Sequence, residues 1–329
     1  MNKINRRELL KIGALASATA MVTSPLSALI EKTWAKQKNN PKLPPAPWLN
    51  TRFLVDVHVH AGITSRTEAL AEDIHSAKDY AILRSKDPKL FAEIVSDEQI
   101  DNSDILLEIM DENGVTHAII QATPGKDASN KRVADMVRRH PGRFFAIYRP
   151  ESAMDAIGAG NLANNPDKKV FAKNAQNIAE EIESLIPELG MIGMGKLIPG
   201  GVVTASNDPF EISHDMGPIM EALRSGNLPI QLTTGWSGWK GGLHYIYDAL
   251  WVDELAGNFP EVPIVLTKMG RGFQGSFETC AVVAMRNANV YFDMMDSHPE
   301  HIREAIQRIG ANRIMFGTDF ERHFRELCI

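Results

Sequence analysis

Eight short apolar runs recur along the chain, each separated from the next by a stretch of helical spacing, and this alternation limits the fold more than any other feature. The runs are Phe53–His60, Thr116–Ala122, Phe144–Arg149, Ile192–Ile198, Pro229–Thr233, Pro263–Lys268, Val290–Met294 and Arg313–Gly317. Each is rich in Val, Ile, Leu or Phe and leads into a polar or glycine-containing loop, as buried strands do. Helical patterns fill the intervals at Asp104–Asn113, Lys131–His140, Lys173–Ile186, Met216–Ser225, Tyr247–Gly257, Gly275–Ala288 and Glu300–Ile309. Several stop at a loop glycine, namely Gly114, Gly190, Gly226 and Gly310, where a left-handed residue ends a helix at little cost. The order predicts an α/β chain folded as a (β/α)8 TIM barrel over residues 53–329. An open doubly wound sheet is the other arrangement, and the missing Gly-x-Gly-x-x-Gly loop weakens its nucleotide-binding form.

Composition narrows the function classes. Of 329 residues, 44% are hydrophobic and 23% charged, which excludes a disordered chain and a multi-span membrane protein. With 35 basic and 41 acidic residues, net −6, the chain has no basic field for nucleic acid and no polybasic membrane anchor. Cys280 and Cys328 are too few for a disulfide scaffold and lack metal-type spacing.

The N-terminus reads as an address. Asn5-Arg6-Arg7-Glu8-Leu9-Leu10-Lys11 precedes a mildly apolar stretch from Ile12 to Ile30, interrupted by polar residues and Pro25. This resembles a twin-arginine export signal over residues 1–35, followed by a proline-rich linker at 36–52, and it predicts a periplasmic or otherwise exported protein. A signal anchor or a single membrane span is the competing reading, which the polar breaks weaken. No membrane association is expected after cleavage.

In a barrel, catalytic groups gather at the C-terminal ends of the strands. The first run ends Val55-Asp56-Val57-His58-Val59-His60. Strict alternation would put Asp56, His58 and His60 on one side and the three valines on the other, packed outward on helices. Two imidazoles at a strand end can hold one metal ion or flank one substrate; two satisfied core histidines are the bland alternative. Gly317-Thr318-Asp319 ends the last run, beside the first in a closed ring. Asp319 is therefore a candidate metal ligand or general base, with a loop or capping aspartate as its plain reading.

With these residues in place the chain resembles the amidohydrolase superfamily, in its amidohydrolase-related branch around aminocarboxymuconate-semialdehyde decarboxylase. The resemblance runs from about Phe53 to Phe320 and rests on Asp56-Val57-His58-Val59-His60, Leu228-Pro229-Ile230, Lys268-Met269-Gly270 and Phe316-Gly317-Thr318-Asp319. It implies a divalent metal, zinc first, on His58, His60 and Asp319, used for hydrolysis or for loss of carbon dioxide from a carboxylated ring. Two positions depart from that pattern: Thr233 and Lys268 stand where the family places histidines. Three ligands plus water still make a catalytic zinc site. An ammonium near a divalent ion is repelled, so Lys268 is neutral, bends towards a substrate carboxylate, or replaces the metal as electrophile in a metal-free site.

Further cations lie at strand ends: Arg149, Lys196 and Arg271. Each alone reads as a surface charge; together with Thr233 and Lys268 they suggest a small anionic, carboxylated substrate. Trp236 and Trp239 stand in the glycine-rich loop after the fifth run, either as a wall for a ring-shaped substrate or as a subunit interface, which leaves a homo-oligomer open. The segment from Ala61 to Ser96 is either a lid or a structural insertion. Ten residues follow Asp319, so the eighth helix is expected to be short or incomplete. An exported enzyme that hydrolyses a C–N, ester or lactone bond, or decarboxylates, is the leading expectation. A non-catalytic binding protein on a degenerate barrel is the second, and a phosphoesterase, short of ligands, the third.

Overall fold

The structure is a computed structural model and describes residues 54–60, 63–64, 100–101, 103–122, 130–158, 168–235 and 247–319. The expected signal and linker, most of the segment after the first strand, Trp236, Trp239, Cys328 and the expected last helix lie outside the described residues. No described helix is long and apolar enough to cross a membrane.

Parallel strands follow one another in chain order: β1 (Val55–Val59), β2 (His117–Gln121), β3 (Phe144–Ile147), β4 (Met194–Leu197), β5 (Ile230–Thr233), β6 (Ile264–Thr267), β7 (Val290–Asp293) and β8 (Ile314–Met315). They make two arcs, β1–β3 and β4–β8, and both seams between the arcs are hydrogen bonded. At one seam Tyr148 N donates to Gly193 O at 2.8 Å and Gly195 N to Tyr148 O at 2.9 Å. At the other, Val57 N donates to Phe316 O at 2.9 Å and Asp319 N to His58 O at 2.9 Å. The ring is closed, which brings the last strand beside the first. This is the (β/α)8 TIM barrel that the alternation predicts, and its eight strands fall within the eight predicted runs.

Helices cover the outside: α1 (Ser103–Asn113), α2 (Asn130–Arg139), α3 (Glu151–Gly158), α4 (Lys168–Leu189), α5 (Pro209–Asp215), α6 (Gly217–Gly226), α7 (Leu250–Asn258), α8 (Gln274–Arg286) and α9 (Pro299–Ile309). The buried residues of α4 (Phe171, Ala175, Ile178, Ala179, Ile182 and Ile186) recur every three or four positions and so form one stripe. Each isoleucine so buried contributes roughly 1.5–3 kcal/mol. Two short helices were not expected from periodicity, because side-chain caps start them. Glu181 accepts from Glu151 N at 2.9 Å and Ser152 N at 3.0 Å at the head of α3, and Asp208 accepts from Phe210 N at 2.8 Å at the head of α5. α6 runs through the predicted stop Gly226 to a left-handed Asn227 at φ 52°, the other residue type that tolerates that conformation.

The core has two parts. The outer one joins strand residues such as Leu54, Val59, Ile120, Ile230 and Phe292 to the helices. The inner one holds Val55, Val57, Ile119, Phe145, Ile147, Ile192, Val265 and Met315 and takes nothing from a helix, so it fills the barrel. This corrects the expectation for β1. Val55 and Val57 point into the barrel, and only Val59 packs outward. The physical reason is a register shift in the β1–β2 pairing between Asp56 and Val59, which breaks the two-residue alternation.

Beneath the ring, His117 Nδ1 lies 2.8 Å from Thr116 Oγ1, whose own hydroxyl donates to Leu54 O at 2.9 Å. Burial, then Arg143, push the His117 imidazole down from 6.5 to about 4. The folded state therefore resists a proton that the unfolded chain accepts below about pH 6.5. The stability held by neutral His117 is complete above that pH and is lost as pH falls towards 4, up to about 3 kcal/mol. Urea unfolding at pH 7 and pH 4.5 is expected to show this loss in the native protein and a smaller one in His117→Gln; equal losses in the two proteins would contradict the assignment.

Candidate active site at the barrel mouth

β1 and β8 deliver the central groups. The β1 register shift lets His58 and His60 both serve the mouth although Val57 stays inside. Beside them, Gly317 has no room for a side chain, since a Cβ there would lie 2.9 Å from His58 Cβ. One ligand atom each from His58, His60 and Asp319 lies within 4.8 Å of the others, and all three residues are buried. His58 Nε2 is 3.5 Å and His60 Nε2 is 3.1 Å from Asp319 Oδ1. These three residues can hold a metal ion. Asp56, expected on the same face, is instead a clamp on the seam. Its Oδ1 accepts from His58 N and Thr318 N, each at 3.1 Å, and its Oδ2 accepts from the Thr318 hydroxyl. Burial pushes its carboxyl up to about 7 against these bonds.

Asp293, at the end of β7, orients two of the neighbours. Its Oδ2 accepts from His58 Nδ1 at 2.7 Å, and its Oδ1 accepts from Lys268 N at 2.7 Å. When Nδ1 carries the ring's single proton, His58 Nε2 presents a lone pair, and it makes no hydrogen bond to a described residue. That lone pair faces the acceptor Asp319 Oδ1. Two acceptors turned towards each other in a buried site suit a cation between them, and two imidazoles with one carboxylate suit zinc or manganese. A carboxylate behind a ligating histidine is the usual support of such a site.

The charges around the ligands are paired. Burial would raise the Asp319 carboxyl, but the Lys268 ammonium first, and then the His60 contact, outweigh it and hold the group well below its usual range. Burial, followed by the Lys196 ammonium, pushes His60 well down, so its ring is neutral. Lys268 Nζ lies 3.0 Å from Asp296 Oδ2 and 3.4 Å from Asp319 Oδ2. Lys268 thus leans on protein carboxylates, an arrangement the sequence alone did not suggest. Lys196 Nζ is 3.1 Å from His60 Nε2. It reaches the mouth because β4 also shifts register, between Met194 and Leu197. Gly195 beside it tolerates no side chain, its Cβ position being 2.9 Å from both Gln231 and Ile147.

The remaining predicted residues sit around this centre. Thr233 pairs in register with Thr267, and the buried hydroxyls of both have no hydrogen-bond partner among the described residues. Arg271 Nε is 3.5 Å from Asp296 Oδ2, with its side chain 30% exposed. Arg149 is held at the end of β3, with Nη1 donating to Ala122 O at 3.3 Å. Strain marks the same place. Six described non-glycine residues have positive φ, and five of them (Lys268, Met269, Arg271, Asp296 and Asp319) are at the mouth; such conformations cost energy and cluster at functional sites. Asp293 and Asp296 were not singled out in the sequence. The available signal was an acidic residue at the end of a predicted strand, read with the same rule applied to Asp319.

Residues 162–320 match the amidohydrolase family model, Amidohydro_2. The matched segment spans β4 to β8 and includes Lys196, Thr233, Lys268, Asp293 and Asp319. No curated protein matches the chain. Among solved structures, the chain is similar to an uncharacterized TIM-barrel protein from Bordetella bronchiseptica, with 16% identity over 82% of this chain and 86% of the other and a TM-score of 0.55. It is also similar to 2,6-dihydroxybenzoate decarboxylase complexed with 2,6-dihydroxybenzoate, with 16% identity, 84% and 91% coverage and a TM-score of 0.52. A third similar structure is 5-carboxyvanillate decarboxylase from Novosphingobium aromaticivorans with bound manganese, with 14% identity, 82% and 88% coverage and a TM-score of 0.50. At these identities the likeness establishes the barrel fold.

Proposed function

We propose that this chain is an amidohydrolase-type enzyme that hydrolyses a C–N, ester or lactone bond in, or decarboxylates, a small carboxylated and cyclic compound. One divalent metal, zinc first, would be held by His58, His60 and Asp319. The observation that carries the proposal is the convergence of these residues at the mouth, with His58 turned to present Nε2 by Asp293. The family match over residues 162–320 supports it, as do the decarboxylases among the similar folds. A metal there would supply Lewis-acid polarisation of a substrate oxygen or of water.

The chain's own residues do the rest. Asp319, held ionised, takes a proton from water: in hydrolysis the hydroxide left behind attacks the scissile carbonyl carbon, and in decarboxylation the proton passes to the carbon that loses carbon dioxide while the hydroxide leaves with it as bicarbonate. Lys196 and the partly exposed Arg271 attract the substrate carboxylate, while Thr233 and Thr267 offer hydroxyls to it. Export by the twin-arginine route belongs to the same proposal and rests on Arg6-Arg7 with the apolar stretch after them.

Asp319→Asn is expected to lower turnover roughly 10²–10⁴-fold, with the circular-dichroism spectrum unchanged. The assay is a panel of lactones, esters and carboxylated phenols, with acid release and carbon dioxide release measured separately. Unchanged turnover would remove Asp319 from the chemistry. A non-catalytic binding protein is the second reading, favoured by the two lysine ammoniums against His60 and Asp319. Neither metal nor turnover in the native protein would select it.

A further inference from the structure

Asp319 divides its two oxygens: Oδ1 faces the imidazoles of His58 and His60, and Oδ2 faces Lys268. The Lys268 ammonium lies between Asp319 Oδ2 and Asp296 Oδ2, at 3.4 and 3.0 Å, and its side chain is 2% exposed. Its backbone is fixed as firmly as its tip. Lys268 N donates to Asp293 Oδ1 at 2.7 Å, Lys268 O accepts from Ser297 Oγ at 3.1 Å, and the residue is held at φ 70°. A lysine that only filled space or sought solvent would not require a left-handed backbone and two carboxylates, one of them, Asp319, fully buried.

We propose that Lys268 is a resident second cation of the mouth, which caps Asp319 Oδ2, leaves only Oδ1 for a metal, and weakens the site's hold on that metal. The inference rests on the metal reading above and concerns what this chain adds to it. The local charges make the argument. Among the described residues the carboxylates of Asp296 and Asp319 hold the Lys268 ammonium between them, and Arg271 also reaches Asp296. Lys268 already faces Asp319 Oδ2 before any metal enters, so a divalent ion arrives against lysine repulsion. Asp296 moderates that repulsion by drawing Lys268 outward, away from the imidazoles. Lys268 is on this account a positioning residue: it sets how Asp319 is used and how tightly the ion is held.

Opposite changes in affinity test it. Manganese binding to the full chain, followed by calorimetry and by the free-ion electron paramagnetic resonance signal, is expected to show one site. In Lys268→Met the dissociation constant is expected to fall at least tenfold, equivalent to about 1.4 kcal/mol. In Lys268→Arg, which keeps the charge, it is expected to stay within threefold of the native value. In Asp296→Asn, which releases the ammonium towards Asp319, it is expected to rise at least threefold. One native site with unchanged affinity in Lys268→Met would overturn this inference alone. A native protein that binds no manganese or zinc would overturn the metal reading and this inference together. Should Lys268→Met fail to fold, Asp296→Asn decides: weaker binding supports the role, and unchanged or tighter binding refutes it.

Discussion

Replacing Asp293 by asparagine is expected to lower metal affinity roughly 10–100-fold while leaving all three ligands in the chain. The carboxylate accepts from His58 Nδ1 and from Lys268 N, both at 2.7 Å. An asparagine has one acceptor and one donor group in the same space. If its oxygen takes the Lys268 amide, its NH2 confronts His58 Nδ1 and stabilises the ring tautomer with the proton on Nε2, the atom that faces Asp319. The lone pair that would face a metal is then lost. If its oxygen takes His58 instead, the NH2 confronts Lys268 N–H and the turn after β6 must move. Calorimetric titration with zinc measures the effect, and nitrogen-15 spectra of the histidine rings report the tautomer. Native affinity together with a native His58 tautomer would show that Asp293 is merely structural.

The largest loss of stability is expected at Gly270, in the turn that carries Lys268. Its φ is +82°, and a Cβ added there would lie 2.4 Å from Phe277 N and 2.5 Å from Ser276 C. These are backbone atoms of α8, so no side chain can swing aside. Gly270→Ala combines left-handed strain with that collision and is expected to cost about 3 kcal/mol or more. Gly257 is the control. It lies in α7 with nothing within 4 Å of its Cβ position and no positive φ, so alanine there is expected to be neutral or to stabilise by about 0.4–1 kcal/mol. Urea midpoints of the two variants check the contrast; equal midpoints would contradict it.

The ring of strands was legible because each apolar run is bounded by polar or glycine-bearing loops, and parallel order follows from the intervening helices. Asp319 beside His58 followed from closure alone. Side-chain direction in β1 was not legible. Alternation put Val55 and Val57 outside, whereas a register shift keeps them inside with the histidines above, and no residue in Val-Asp-Val-His-Val-His announces such a shift. The same holds for Lys196 on β4. Asp56 has the same spacing from His58 as His60 does, and only the seam to Thr318 separates its role. Lys268 was recognised as a departure, but its partner Asp296 lies in a loop beyond β7, and loop conformation is set by packing that periodicity does not record. Asp293 was visible as the last residue of a strand and could have been chosen by the rule that chose Asp319.

Elemental analysis of protein purified without added chelator decides whether the mouth holds a metal. About one equivalent of divalent metal, zinc first, is expected in the native chain, and a loss of that equivalent in His58→Asn and in His60→Asn at unchanged secondary structure. Native protein free of metal, yet turning over a carboxylated substrate at the same rate with a chelator present, would contradict it.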